Sequence, residues 1–259
     1  MFRLELVGER IKKSRLALFL ASLLAWGCQS NVSPINDNPS LTVGVSVHES
    51  TMDHGAGLNL VRRDEDGLVW LNQVFAYGAT PVVIVGYGDK RTIPERCAMA
   101  AATGAWIEVW NEPNLVQFWG SEPNPEEWVS ILKSCREAAP HAILLGPGIG
   151  GGVWDWEFLQ RATNAGMMTY LDIVTVHGYA STPETLGRDI AKVRSMTGGW
   201  RVGVSEWGFQ GTNQTDQIQR VLVAASRAQL DFILMYDEPA DGYELSSESL
   251  TLLKHWARR

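Results

Sequence analysis

From position 41 onward, short uninterrupted apolar runs alternate with longer stretches whose apolar residues recur every three or four positions. The short runs read as strands at 41–47, 58–62, 81–86, 106–110, 142–145, 172–176, 200–204 and 232–235. The amphipathic stretches read as helices at 68–77, 94–103, 124–139, 156–165, 182–196, 216–228 and 247–257. Asn124-Pro-Glu-Glu127 supplies a favoured cap, a first-turn proline and acids at the positive helix end. Strands that are apolar throughout are covered on both faces, and regular strand–helix alternation means an α/β protein with a parallel sheet. A count of eight favours closure into a (β/α)8 TIM barrel, a single domain with short loops. An open doubly wound sheet is the competing architecture. It would be expected to carry a GxGxxG turn after its first strand, and none is there. Gly146-Pro-Gly-Ile-Gly-Gly-Gly152 is glycine-rich but follows the fifth strand and lacks a Walker lysine, so it reads as a loop with tight backbone turns.

Composition adds size and compartment. The chain has 259 residues, enough for one large core. A net charge of −7 argues against nucleic acid as a partner. Eleven tryptophans are many, and those near strand tips are the ones to weigh as sugar-stacking surfaces. Arg10, Lys12, Lys13 and Arg15 precede an apolar run from Leu16 to Gly27, the pattern of a secretory leader. Ala25-Trp-Gly-Cys28 resembles a bacterial lipobox, in which Cys28 would be lipidated. The expected organisation is a leader at 1–28, a flexible tether at 29–40 and the barrel at 41–259. The expected product is exported: an outer-membrane or cell-surface lipoprotein, or a periplasmic or extracellular protein. It is expected to be a monomer that touches the membrane only through its N-terminal lipid. Cys97 and Cys135 fall on helices expected to run side by side. Counted from the helix starts they sit seven residues, or about 10 Å, apart in level. That exceeds the roughly 7 Å limit for a bridge, so both are expected as unpaired buried thiols.

In such a barrel the site lies at the C-terminal strand tips. Those tips carry His48 and Glu49, then Arg62, Arg63 and Asp64, Tyr87, Asn111 and Glu112, His177 and Tyr179, Glu206 and Trp207, and Tyr236, Asp237 and Glu238. Glu112 and Glu206 each follow an apolar strand directly, three strands apart, and so face each other across the mouth. Two carboxylates in unlike surroundings are the requirement of glycosidic cleavage: one gives a proton to the leaving oxygen, the other attacks or activates water.

Val109-Trp-Asn-Glu-Pro-Asn114 resembles the acid/base motif of the clan A glycoside hydrolases, retaining (β/α)8 enzymes. Val202-Gly-Val-Ser-Glu-Trp-Gly208 resembles their nucleophile strand, and Val176-His-Gly-Tyr179 their sixth-strand motif. Gly57-Leu-Asn-Leu-Val-Arg-Arg-Asp64 and Phe118–Glu127 are similar to segments of the bacterial branch near glycoside hydrolase family 39. The resemblance spans about 43–253. It implies Glu112 as general acid/base, Glu206 as nucleophile and Asn111 as a partner of the sugar 2-hydroxyl. Arg62 and Tyr179 would hold Glu206 ionised, and His177 would line the cleavage subsite. Tyr87, Trp119 and Trp207 are candidate stacking surfaces. Tyr236 stands where many members carry a tryptophan floor. The implied partner is a β-linked polysaccharide or oligosaccharide, with no cofactor and no metal. Short connections after strands two and three suggest an open groove and endo action.

Two other readings compete. One is a catalytically weak or inactive carbohydrate-binding barrel, favoured by the missing eighth-strand tryptophan. The other is a metallohydrolase built on His48, Asp53, His54 and His177, which lacks any HxH or HExxH spacing.

Overall fold

The computed structural model describes residues 41–47, 49–65, 68–150 and 155–259. The expected leader and tether, Cys28, His48 and Trp154 lie outside the described residues. Eight strands close into one barrel, each parallel to the next and the last parallel to the first. They are β1 Thr42–Val47, β2 Leu60–Asp64, β3 Thr80–Val85, β4 Trp106–Val109, β5 Leu144–Ile149, β6 Ile173–His177, β7 Val202–Trp207 and β8 Phe232–Asp237. The helices around them are α1 Leu71–Ala76, α2 Ile93–Ala102, a four-residue α3 Val116–Trp119, α4 Pro125–Ala138, α5 Trp156–Asn164, α6 Leu186–Met196, α7 Gln214–Arg227 and α8 Ser247–Trp256.

Alternation along the strands builds the interior in layers. Leu60, Val82, Leu145, Ile173, Phe232 and Leu234 fill the lower barrel, with Trp106 against Phe232. Two residues further up, the inward positions turn polar: Arg62 above Leu60, Glu108 above Trp106 and Thr175 above Ile173, all nearly or fully buried. The outward residues of the same strands, such as Val61, Val83 and Ile107, join the larger core beneath the helices.

Several sequence-based boundaries move. β2 runs to Asp64, so Arg62 is an interior strand residue and not a tip residue. β5 runs on through Pro147 and Gly148 to Ile149, so the first part of the glycine-rich run is strand and not loop. The expectation of unpaired thiols is overturned. Cys97 of α2 and Cys135 of α4 form a disulfide, with Cα atoms 5.6 Å apart. The helices do not start level, because α4 has fourteen residues and α2 ten. Counted from their C-terminal ends, the two cysteines differ by only two residues, about 3 Å of rise.

Candidate active site

One guanidinium organises the mouth of the barrel. Arg62 is 1% exposed and uses every face of its fork. Its Nε donates to Glu108 of β4, Nη1 to Ser46 of β1 (2.9 Å) and to Glu206 of β7 (2.5 Å), and Nη2 to the Asn111 side-chain oxygen (2.7 Å). Arginine's planar set of donors suits this multiple pairing better than lysine would. Burial pulls the Arg62 pKa down, and the charges of Glu108 and Glu206 more than reverse that, leaving it raised.

Glu206 reaches this position through an irregularity in β7. On the β6 side Val176 pairs with Val204 but His177 with Glu206; on the β8 side the pairing steps from Val204 to Trp207 across only two residues of β8. β7 thus carries one extra residue. Gly203 is inward at the bottom, where an added Cβ would collide with the Phe232 ring, and Glu206 is inward at the top, an odd number of residues later. A bulge that re-aims a side chain at a site is a known use of this device.

The Glu206 oxygens accept from Arg62 and from the Tyr179 hydroxyl (2.7 Å), and His177 Nδ1 lies 3.4 Å from one of them. Burial pushes the Glu206 carboxyl up, but His177, Arg62 and Tyr179 together outweigh it and hold it below the ordinary carboxylate range. Burial, followed by the Glu206 charge, pushes the Tyr179 phenol far up, so it acts as a neutral donor.

Glu112 stands beyond the end of β4 in the left-handed region (φ 46°), as do Trp110 (φ 71°) and Tyr87 (φ 63°). Each such residue costs on the order of 1–3 kcal/mol, and such residues cluster at functional sites. The surroundings hold them in place. Trp110 donates to the Phe118 carbonyl, and Arg96 of α2 donates to the carbonyls of Gly86 and Tyr87. His177 Nδ1 is 2.8 Å from Glu112 Oε1 and 3.4 Å from Glu206 Oε2. These two distances cap the separation of those carboxyl oxygens at 6.2 Å. The glycines of the β5 end make room for the acids. A Cβ on Gly150 would fall inside the Glu112 carboxylate, and one on Gly148 would lie 3.0 Å from Glu108 Oε1 and 3.2 Å from His177 Nε2.

Above the acids is a cleft of about 580 Å³, within the usual range of small-molecule sites. Of the residues expected from sequence, Arg62, Tyr87, Asn111, Glu112, Tyr179, Glu206 and Tyr236 line it. His177 does not: it is 0% exposed and bridges the two acids from below. Trp119 and Trp207 do not reach the cleft either. Both are 3% exposed. Trp119 packs on Trp110 with the Lys90 ammonium over its ring, and Trp207 donates to the Ser181 carbonyl. An apolar ring with one N–H gains more from burial against a carbonyl than from exposure. Trp70 and Trp128 show the same habit, donating to the carbonyls of Asp64 and Val109. The rings that do face the cleft are Tyr87 and Phe118 on one side, 6.2 Å apart, and Tyr179, Tyr236 and Tyr243 on the other, 5.4–5.8 Å apart.

The sequence reading missed Glu108, Thr175, Phe118 and Tyr243. Glu108 had a signal: an acid at an alternate position inside an otherwise apolar strand needs a buried partner, and Arg62 is its counterpart. Phe118 and Tyr243 sit on connections, where no periodicity marks them. Two tip acids prove structural. Asp237, whose carboxyl burial pushes up, accepts from the Leu245 backbone and from His54, and Glu238 caps the following turn at Ala240. Of the histidine-based metal reading, His54 pairs with Asp237, Asp53 accepts from Gln73 and Tyr77, and His48 lies outside the described residues. Among the described residues no group of three or more His, Cys, Asp or Glu is placed to hold a metal ion.

With this geometry in hand, the chain is similar in fold to glycoside hydrolases of the (β/α)8 class. A GH30 endoxylanase from Clostridium papyrosolvens superposes with a TM-score of 0.59 at 13% identity, covering 84% of this chain and 71% of that one. A GH39 beta-xylosidase from Caulobacter crescentus gives 0.56 at 16%, covering 86% and 71%. An aldolase, QR15, gives 0.55 at 14%, so the likeness at these identities is one of fold alone. In sequence, an 83-residue stretch is 36% identical to a beta-xylosidase from Geobacillus stearothermophilus. That stretch is 29% of this chain and 16% of that protein. No family model matches the chain.

Proposed function

We propose that this protein is a retaining glycoside hydrolase that cleaves β-linked glycosidic bonds by double displacement. The observation that carries the proposal is the pairing of Glu112 and Glu206 across one imidazole, with facing oxygens no more than 6.2 Å apart. That bound on the facing oxygens admits the separation of about 5–5.5 Å between carboxyl groups that retaining enzymes use. Glu206, held ionised by Arg62 and Tyr179, is the nucleophile. It attacks the anomeric carbon as the glycosidic bond breaks. Glu112 gives its proton to the leaving oxygen, then takes one from the water that releases the sugar from Glu206. Asn111, fixed through its oxygen by Arg62 and hydrogen-bonded to the Tyr87 hydroxyl, lines the cleft where a sugar hydroxyl would lie. Phe118 with Tyr87, and Tyr243 with Tyr236, give stacking faces at the two sides of the cleft.

The beta-xylosidase likeness makes β-xylosides the first substrates to try. A 2-deoxy-2-fluoro β-xyloside with a good leaving group is expected to add one fluorosugar to Glu206, seen by peptide mass, and Glu206→Gln to remove the label. Failure to label with xylo-, gluco- and manno-configured probes, together with binding to glycans without turnover, would turn the reading to a carbohydrate-binding barrel. Export is part of the proposal. The leader supports it, and so does the Cys97–Cys135 bond, because disulfides persist in oxidising compartments.

A further inference from the structure

Glu108 has no counterpart among the two acids just assigned, yet it is the more deeply buried carboxylate, at 0% exposure. It lies one layer below the cleft and cannot touch a sugar. Both its oxygens are engaged. Oε2 accepts from Arg62 Nε, and Oε1 accepts from the Thr175 hydroxyl of β6 at 2.7 Å. Thr175 in turn accepts from the Gly148 backbone N–H at 3.0 Å. The Gly148 conformation (φ 58°) and its missing side chain leave the space that Glu108 Oε1 occupies. Three strands therefore cooperate to fix one carboxylate at one angle.

We infer that Glu108 is a positioning residue, which sets the rotation of the Arg62 guanidinium and through it the placement and charge of Glu206 and the orientation of Asn111. The reasoning is geometric. A guanidinium is rigid and planar, so pinning its Nε edge fixes where both Nη groups point. One of those holds Glu206 and the other Asn111. Glu108 also shares the Arg62 charge, so Glu206 is not the sole counter-ion of a buried cation. The ionisable groups facing Glu206 are Arg62 from β2, Glu112 beyond β4, His177 and Tyr179 from β6 and the turn after it, Tyr87 beyond β3 and Tyr236 from β8. Of these, Arg62 is tied to Glu108 by a direct bond from its Nε.

The inference rests on Glu206 being the nucleophile, and the test separates the two. The carboxyl titration of Glu206 is followed by NMR in the full chain with ¹³C-labelled glutamate, assigned with Glu206→Gln. Glu108→Gln keeps the shape but removes a negative charge, so Arg62 acts on Glu206 alone. The expected result is a Glu206 titration about one pH unit lower, with the acid limb of kcat/KM moving down alongside it and kcat falling at least tenfold. Glu108→Asp keeps the charge but not the reach, and should lower kcat without moving the limb. A folded Glu108→Gln with an unmoved Glu206 titration overturns the inference. Should that variant not fold, wild-type kcat in Glu108→Asp overturns it instead. Absence of fluorosugar labelling in the wild type would sink the hydrolase reading, while the titration, which needs no turnover, still decides the role of Glu108.

Discussion

At the scale of single residues, the site separates two acids by their neighbours. Glu206 has an arginine and a phenol on its oxygens, and its depressed pKa has consequences in pH. A depressed carboxyl stabilises the fold above its unfolded value, about 4.3, and loses that contribution as pH falls through the folded value. The acid limb of kcat/KM should accordingly lie below the ordinary carboxylate range. Tyr179→Phe removes a donor to the ionised form, so the limb should move up by about one pH unit, read from pH–rate profiles. Glu112→Gln should cost about 10²–10⁴ in rate on substrates with poor leaving groups and little in the sugar-transfer step with activated ones, and added azide should restore turnover. Gly150→Ala places a methyl where the Glu112 carboxylate sits. We expect a rate loss of about a hundredfold or more with a small change in Tm, measured side by side. Neither Gly148 nor Gly150 declared this in sequence, since a glycine-rich run looks the same whether it serves a turn or clears space for a side chain.

At the scale of elements, what was legible followed from burial. Strands covered on both faces are apolar throughout, and so all eight and their order could be read. Strand ends were less legible, because Arg62 and Glu108 break the apolar runs while remaining inside the barrel. The same arginine that looks like a tip residue in sequence is the centre of the site in three dimensions. Helix levels were illegible: nothing in the pattern says that α4 begins higher than α2, and that alone concealed the Cys97–Cys135 bond. It closes a loop over a sequence separation of 38, which in the chain-entropy account contributes about 3–4 kcal/mol. Reduction, or Cys97→Ala with Cys135→Ala, should lower Tm by about 10 °C in calorimetry while leaving the cleft intact. The bulge in β7 was also hidden, since one extra residue in an apolar run leaves no compositional trace.

At the scale of the whole molecule, the barrel sets its two facing acids at or just past strand ends and two of its cleft-lining rings on connections. Glu206 is the penultimate residue of β7 and Glu112 lies three residues past β4, whereas Phe118 and Tyr243 belong to the segments after β4 and β8. Chemistry and selectivity are therefore separable. Phe118→Ala and Tyr243→Ala are expected to raise KM severalfold on oligosaccharides while sparing kcat on small activated glycosides. The tryptophans expected to provide those surfaces are spent on packing, which is why composition alone misplaced them.

The pairing of Arg62 has a consequence for the order in which the molecule assembles. Ser46, Arg62, Glu108 and Asn111 all come from the first half of the chain, and only Glu206 arrives from the second. A polypeptide that emerges amino end first can thus neutralise the buried Arg62 guanidinium within β1–β4, before β7 exists to meet it. Glu206 is then the last piece to dock onto a pre-built socket, and its titration doubles as a reporter of ring completion during refolding.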